Sequence, residues 1–323
     1  MGEMLDTVLR IPWGISRVAV ETIAAALPGG ARLSCEELSD KLEAFLLFQR
    51  AAAAPEVHPG LAGHLDPWSR LWVLEGWGYS LGARGGSLRQ ADPEALIPLS
   101  TGFGLALAVG AVEGLQAGHE RVALRRFAER CRAALPSGLA GAACETLGLA
   151  TRTLYPRRAE AIASALEELG EGFEAHFWHG LGRALSFVPT NVLPVGDPSK
   201  RALVKAVSEP RGDSGRRNAL AGLAWAMTLV GFRHPQVLGR FLHAHAGHIP
   251  APDAFTQGIA AAVLVWVQSS GPGAPLETFL SYASADPRLW DSWVRRPCLQ
   301  ALDLRLPELE RNGRWEDLFR VAP

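Results

Sequence analysis

Apolar positions recur along this chain three or four residues apart over most of its length, and bounded runs of strict apolar–polar alternation do not occur. The pattern predicts helices and no substantial sheet. Residues 5–28 read as a helical entry bent at Pro12 and Gly14. The stripe Leu38, Leu42, Phe45 and Phe48 predicts a helix to about residue 54, with Ser34 and Glu37 as a capping box at its start. Further helices follow at 68–84, after an Asp92-Pro93 start at 101–115, at 119–135 as an amphipathic cover, and at 139–149 and 158–169, the last ended by Gly170. Pro189, Pro194, Pro198 and Pro210 predict a long loop over 188–217, with room for a short helix at 200–207. The pattern then resumes at 218–232, 234–248, 252–269, 276–283, 286–296 and 299–311.

Several of these helices carry one phrase: glycine, a large apolar residue, a small residue, then a helical continuation. It is seen at Gly76-Trp77-Gly78, Gly102-Phe103-Gly104, Gly180-Leu181-Gly182, Gly222-Leu223-Ala224 and Gly258-Ile259-Ala260. Glycine in a helix interior costs about 1 kcal/mol against alanine, so each must be offset by close backbone packing or by a ligand. The fold class is therefore all-α: a degenerate helical-repeat array or two related helical halves. The halves would be an N-terminal one at 1–150 and a C-terminal one at 151–323 that includes the loop 188–217, unless the two form one continuous domain.

Composition narrows the function. With 32 Lys and Arg against 33 Asp and Glu, the net charge is -1, so no global field draws in nucleic acid or an anionic membrane. The runs 219–232 and 259–267 fall short of the ~20 apolar residues a span needs, so no membrane span is expected. The first residues lack the charged region and apolar core of a secretory signal, and Cys35, Cys131, Cys144 and Cys298 show no CxxC pairing. Reduced thiols and a cytoplasmic location are the expectation.

Candidate chemistry is sparse. Gly76, Gly78 and Gly82 have the wrong spacing for a dinucleotide fingerprint, no Walker loop is present, and no Ser, Cys or Thr stands in a hydrolase motif, so no cofactor is expected. His176 and His179 share a helix face with Arg183 one turn on, a set able to donate protons or bind a carboxylate, or to serve as plain structural side chains. The group His243, His245 and His248 lies at a helix end, where the macrodipole favours histidine without any metal. No metal site is assigned. Glu75, if buried, needs a partner or a raised pKa, and ten tryptophans, several near the phrases (Trp72, Trp77, Trp178, Trp225 and Trp266), offer stacking surfaces or core filling.

The order of LEGWGYSLGAR at 74–84, TGFGLALAVG at 101–110, FWHGLGRALSFV at 177–188, LAGLAWAMTLVG at 220–231 and FTQGIAAAVLVW at 255–266 resembles a bacterial family of unknown function with members encoded in enediyne polyketide biosynthetic clusters. Glu75 and Gly76, then Gly180 to Arg183 with Leu185, then Gln257 and Gly258 match that family's elements. His179 stands where the family has glutamine. The resemblance implies an accessory role in maturing a highly unsaturated polyketide, by catalysis or binding, with other proteins of the same pathway as partners. On this reading a helical cavity takes an apolar polyene or polyyne, and Glu75, Tyr79, His176, His179, Arg183, Asn218 and Gln257 face it. The alternative is a noncatalytic helical-repeat scaffold that docks protein partners.

Overall fold

The computed structural model describes residues 29–53, 64–116, 118–170, 172–188 and 197–321, so the expected helical entry at 5–28 lies outside the described residues. Among them every regular element is helical: α1 Gly29–Ala52, α2 Pro67–Ala83, α3 Leu96–Glu113, α4 Glu120–Ala134, α5 Ala140–Leu154, α6 Ala159–Leu169, α7 Phe173–Leu185, α8 Pro198–Ser208, α9 Gly212–Val230, α10 Pro235–His245, α11 Pro252–Ser270, α12 Ala274–Leu280 and α13 over 287–312. The chain is all-α.

Four helix starts share one device. Asp66, Asp92, Asp197 and Asp286 each precede a proline, and each side chain accepts a hydrogen bond from a backbone N–H two or three residues on. The aspartate satisfies an orphan donor, and proline's fixed φ suits a first turn whose N–H has no partner anyway.

Three boundaries differ from expectation. Helix α1 begins at Gly29, so position 34 lies inside it rather than at its start. Of the loop expected at 188–217, residues 189–196 lie outside the described residues, and 197–217 are largely helical, because the Asp197 cap starts α8 and Gly212, at φ 68°, opens α9. The two helices expected at 286–296 and 299–311 are one run with π turns at Asp291–Arg295 and Ala301–Arg305. Pro297 and Pro307 follow those turns, and a widened turn accommodates a residue that has no N–H to give and a ring that clashes with the carbonyl four back.

Helices α1, α2, α3, α5, α7, α9 and α11 pack in series, each against the next, while α4, α6, α8 and α10 connect them. The series curls back on itself. Trp68 at the start of α2 donates its indole N–H to the Val230 carbonyl at the end of α9 (3.1 Å), and the Arg233 guanidinium lies 3.7 Å over the same indole ring. Gln268 of α11 donates to the Pro93 carbonyl before α3. One hydrophobic cluster runs from Ala44 to Val321, crossing residue 150 without interruption.

The glycine phrase is the joint of this series. Its first glycine lies against the preceding helix: Gly76 over the Phe48 carbonyl, Gly102 over Glu75, Gly180 over Glu145, Gly222 over His179 and Gly258 over Ala221. Its second small residue, about 200° around the helix, lies against the following one: Gly78 over Leu99, Gly104 over Ala143 and Gly182 over Ala219. At Gly102 an added Cβ would stand 1.7 Å from the Glu75 carbonyl oxygen, so backbone contact this close excludes any side chain. Helix α5 carries a sixth copy, Thr146-Leu147-Gly148, with Gly148 over the Phe177 carbonyl of α7.

Where the runs 219–232 and 259–267 fall short, the stretch Pro93–Glu113 is apolar enough by length and composition to cross a membrane, and 67% of its 18-residue window is buried inside the protein. This helix packs against α2 and α5.

Candidate functional site

The residue before each first glycine and the one three after it lie about 40° apart on the helix, and so share one side. On α2 these are Glu75 and Tyr79, on α5 Glu145 and Leu149, on α7 His179 and Arg183, on α9 Ala221 and Trp225, on α11 Gln257 and Ala261. Because the series curls, that side of α2, α5, α7 and α9 converges. Arg183 Nη2 donates to Glu75 Oε1 at 2.5 Å and its Nη1 to Glu145 Oε2 at 3.3 Å, while His179 Nδ1 lies 3.4 Å from Glu145 Oε1. The guanidinium sits 4.7 Å over the Trp225 ring. Phe319, from the final 3₁₀ turn Trp315–Phe319, packs its ring against His179 (5.9 Å) and Trp225 (6.1 Å).

Glu75, Glu145, His179, Arg183, Trp225 and Phe319 are all buried, Glu145 completely. Removing two carboxylates and a guanidinium from water costs several kcal/mol per ion, offset by their mutual attraction and hydrogen bonds. The two carboxylates respond differently. Burial pushes Glu75 up, and the Arg183 charge only partly opposes it, so its carboxyl sits above the usual range. Burial pushes Glu145 up as well, but Arg183 and His179 together outweigh it and hold that carboxyl below the usual range. Arg183, desolvated yet flanked by both, is held more firmly protonated. The two carboxyls are thus shifted in opposite directions.

Three polar atoms in this cluster have no hydrogen-bond partner among the described residues: His179 Nε2, Arg183 Nε and Trp225 Nε1. A buried, unpaired polar atom costs about 1–3 kcal/mol, and three of them gather around one ring contact.

Of the seven residues expected to face a cavity, Glu75, His179 and Arg183 are brought together. His176 and Asn218 are committed elsewhere. The two ring nitrogens of His176 lie 3.2 Å from the Gly172 carbonyl oxygen and 3.1 Å from that of Glu316, and burial holds its pKa low. Asn218 donates to the Ser214 carbonyl (2.9 Å) and accepts from the Val321 N–H (2.7 Å). Both side chains fasten the C-terminal segment over the cluster, with Glu316 adding a bond from the Gly141 N–H (2.9 Å). Tyr79 is half-buried with its ring edge-on to Phe48, and Gln257 is half-buried on α11.

Glu145 was not anticipated. Its signal is the glutamate-before-phrase arrangement shared with Glu75-Gly76, obscured because Thr146 stands where the other copies have glycine. Phe319 carries no local signal, since only the path of the chain brings it to α7 and α9. In the late histidine group, His245 Nε2 lies 2.9 Å from Asp197 Oδ2, and among the described residues no three His, Cys, Asp or Glu converge as metal ligands would. All four cysteines are buried free thiols.

No family model, curated protein or solved structure matches this chain.

Proposed function

We propose that this protein binds an elongated, unsaturated apolar molecule of the polyketide type against the inward side of its helix array, engaging one polar group of it with His179, Arg183 and Trp225. The observation that carries this reading is the coincidence of three unpartnered polar atoms with an aromatic face at one buried place. A ligand carbonyl or hydroxyl there takes a hydrogen bond from Arg183 Nε or the Trp225 indole, and a conjugated chain stacks on the Trp225 and Phe319 rings. The resemblance to the enediyne-cluster family supports the ligand class, and an accessory role in such a pathway, in the cytoplasm beside the other proteins that handle the intermediate, follows from it. Conversion of the bound chain by proton transfer would draw on the divided Glu75 and Glu145 pair.

The test is organic-solvent extraction of the natively purified protein, followed by absorbance and mass spectrometry of the extract after expression in a polyketide-producing host. A stoichiometric conjugated chromophore is expected. An extract with none, from protein that instead retains pathway proteins through an open helical surface, would favour the scaffold.

A further inference from the structure

On the other side of α7 the surface opens into a cleft of about 340 Å³, between the end of α5, the turn Pro156–Arg158, the start of α6 and the link from α8 to α9. This falls within the roughly 300–1,000 Å³ of small-molecule sites. Trp178 and Leu181 lie buried at its base, Pro156 and Ala159 add to its apolar lining, and Leu181 stands about 200° around the helix from His179, so the cleft is separate from the inward cluster. Its rim carries Arg152, Arg157 and Arg211 against Glu160 and Glu209, an excess of one positive charge.

The rim charges are not equally committed. Arg152 holds Glu209 at 2.9 Å with its side chain only 12% exposed, and forms a fixed wall. Arg211 pairs with Glu160, but both side chains are 66% exposed, and an ion pair that open to solvent contributes little. It exchanges cheaply for another carboxylate. Arg157 is exposed and has no ion-pair partner among the described residues. An apolar floor, two available guanidinium forks and a net charge of one define the complement: one carboxylate on a flat apolar body.

We propose that this cleft is a binding site for an aromatic or similarly flat monocarboxylate, whose carboxylate is held by Arg157 and Arg211 in place of Glu160. It does not rest on the function proposed for the inward cluster, since no residue is shared.

The probe is 2-naphthoate, titrated calorimetrically into the full chain, with 2-naphthyl phosphate and the uncharged 2-acetylnaphthalene as comparisons. Saturable binding of naphthoate is expected, with the ketone at least about tenfold weaker. The double variant Arg157→Glu, Arg211→Glu weakens naphthoate by at least about tenfold while keeping the wild-type urea midpoint, because both side chains are exposed. Glu160→Gln removes the competing carboxylate and tightens naphthoate about threefold. No saturable naphthoate binding at millimolar concentration, binding unchanged in the double variant, or Glu160→Gln binding no tighter than wild type each overturns the site. Naphthyl phosphate binding more tightly than naphthoate overturns its assignment to a monocarboxylate.

Discussion

Arg183 on α7 reaches Glu75 on α2, 108 residues earlier in the chain, at 2.5 Å, in a contact fully enclosed by the helices between them. Only the curl of the series allows it, because α3 and α5 intervene between α2 and α7 in the packing order. The same guanidinium holds Glu145, so one cation answers two buried carboxylates. Arg183→Ala leaves Glu75 without its cation and Glu145 with His179 alone, and stability falls by about 3–5 kcal/mol, read from urea denaturation. Arg183→Lys keeps a charge but not the fork, and loses less.

The glycine joints make a paired prediction on one helix. Gly102→Ala puts a methyl group into the Glu75 carbonyl of α2, forcing the helices apart at a cost of about 1–3 kcal/mol or more. Gly110, also on α3, has nothing within 4 Å of the place its Cβ would occupy. Gly110→Ala therefore stabilises by about 0.5–1 kcal/mol. Thermal or urea unfolding of the two variants should move in opposite directions.

Two histidines give stability opposite dependences on pH. His234, 2.7 Å from Asp40, has a raised pKa, caused first by that hydrogen bond and opposed by burial. Its contribution is fully present below about pH 6.5, the unfolded value, and is lost as pH rises through the raised folded value. The groups around it are Asp40 and Glu36 from α1 and its neighbour Arg233. The urea-midpoint deficit of His234→Gln should accordingly be largest near pH 5.5 and shrink toward pH 8.5. His176, held low by burial, acts the other way. Below about pH 6.5 the unfolded chain takes up a proton that the native one refuses, and stability falls. A His234→Gln deficit that grows with pH would contradict the ion-pair assignment.

Phe319 seals the cluster from the C-terminal side. Phe319→Ala opens a void beside His179 and Trp225 and costs about 3–5 kcal/mol. It should also make tryptophan emission more accessible to acrylamide under native conditions. Unchanged quenching together with unchanged stability would mean that the C-terminal turn does not close the site.

Much of this was legible in the chain. Helical spacing alone yields the fold class, and the phrases at Gly76, Gly102, Gly180, Gly222 and Gly258 mark the helices that pack in series, because contact at the backbone tolerates no side chain whatever the surrounding sequence. Glu75, His179 and Arg183 could be picked out for their place beside those phrases. Their convergence could not, since it depends on how far the series curls, which is set by many small contacts. The separation of His176 from His179 follows the same logic: three residues apart on one helix, one turns to the Glu316 carbonyl and the other to Glu145, according to what the rest of the chain brings alongside. The merging of two helices into α13 was hidden because Pro297 reads as a stop unless the turn before it widens.

The most direct measurement is a titration with a conjugated tetraene fatty acid such as cis-parinaric acid, followed by energy transfer from tryptophan to the bound polyene. The account predicts saturation at one polyene per chain, affinity reduced at least about tenfold in His179→Leu, where the polar partner is gone, and largely retained in His179→Gln, where an amide replaces it. No saturable transfer, or equal affinity in wild type and His179→Leu, would contradict a ligand site at the His179–Arg183–Trp225 cluster.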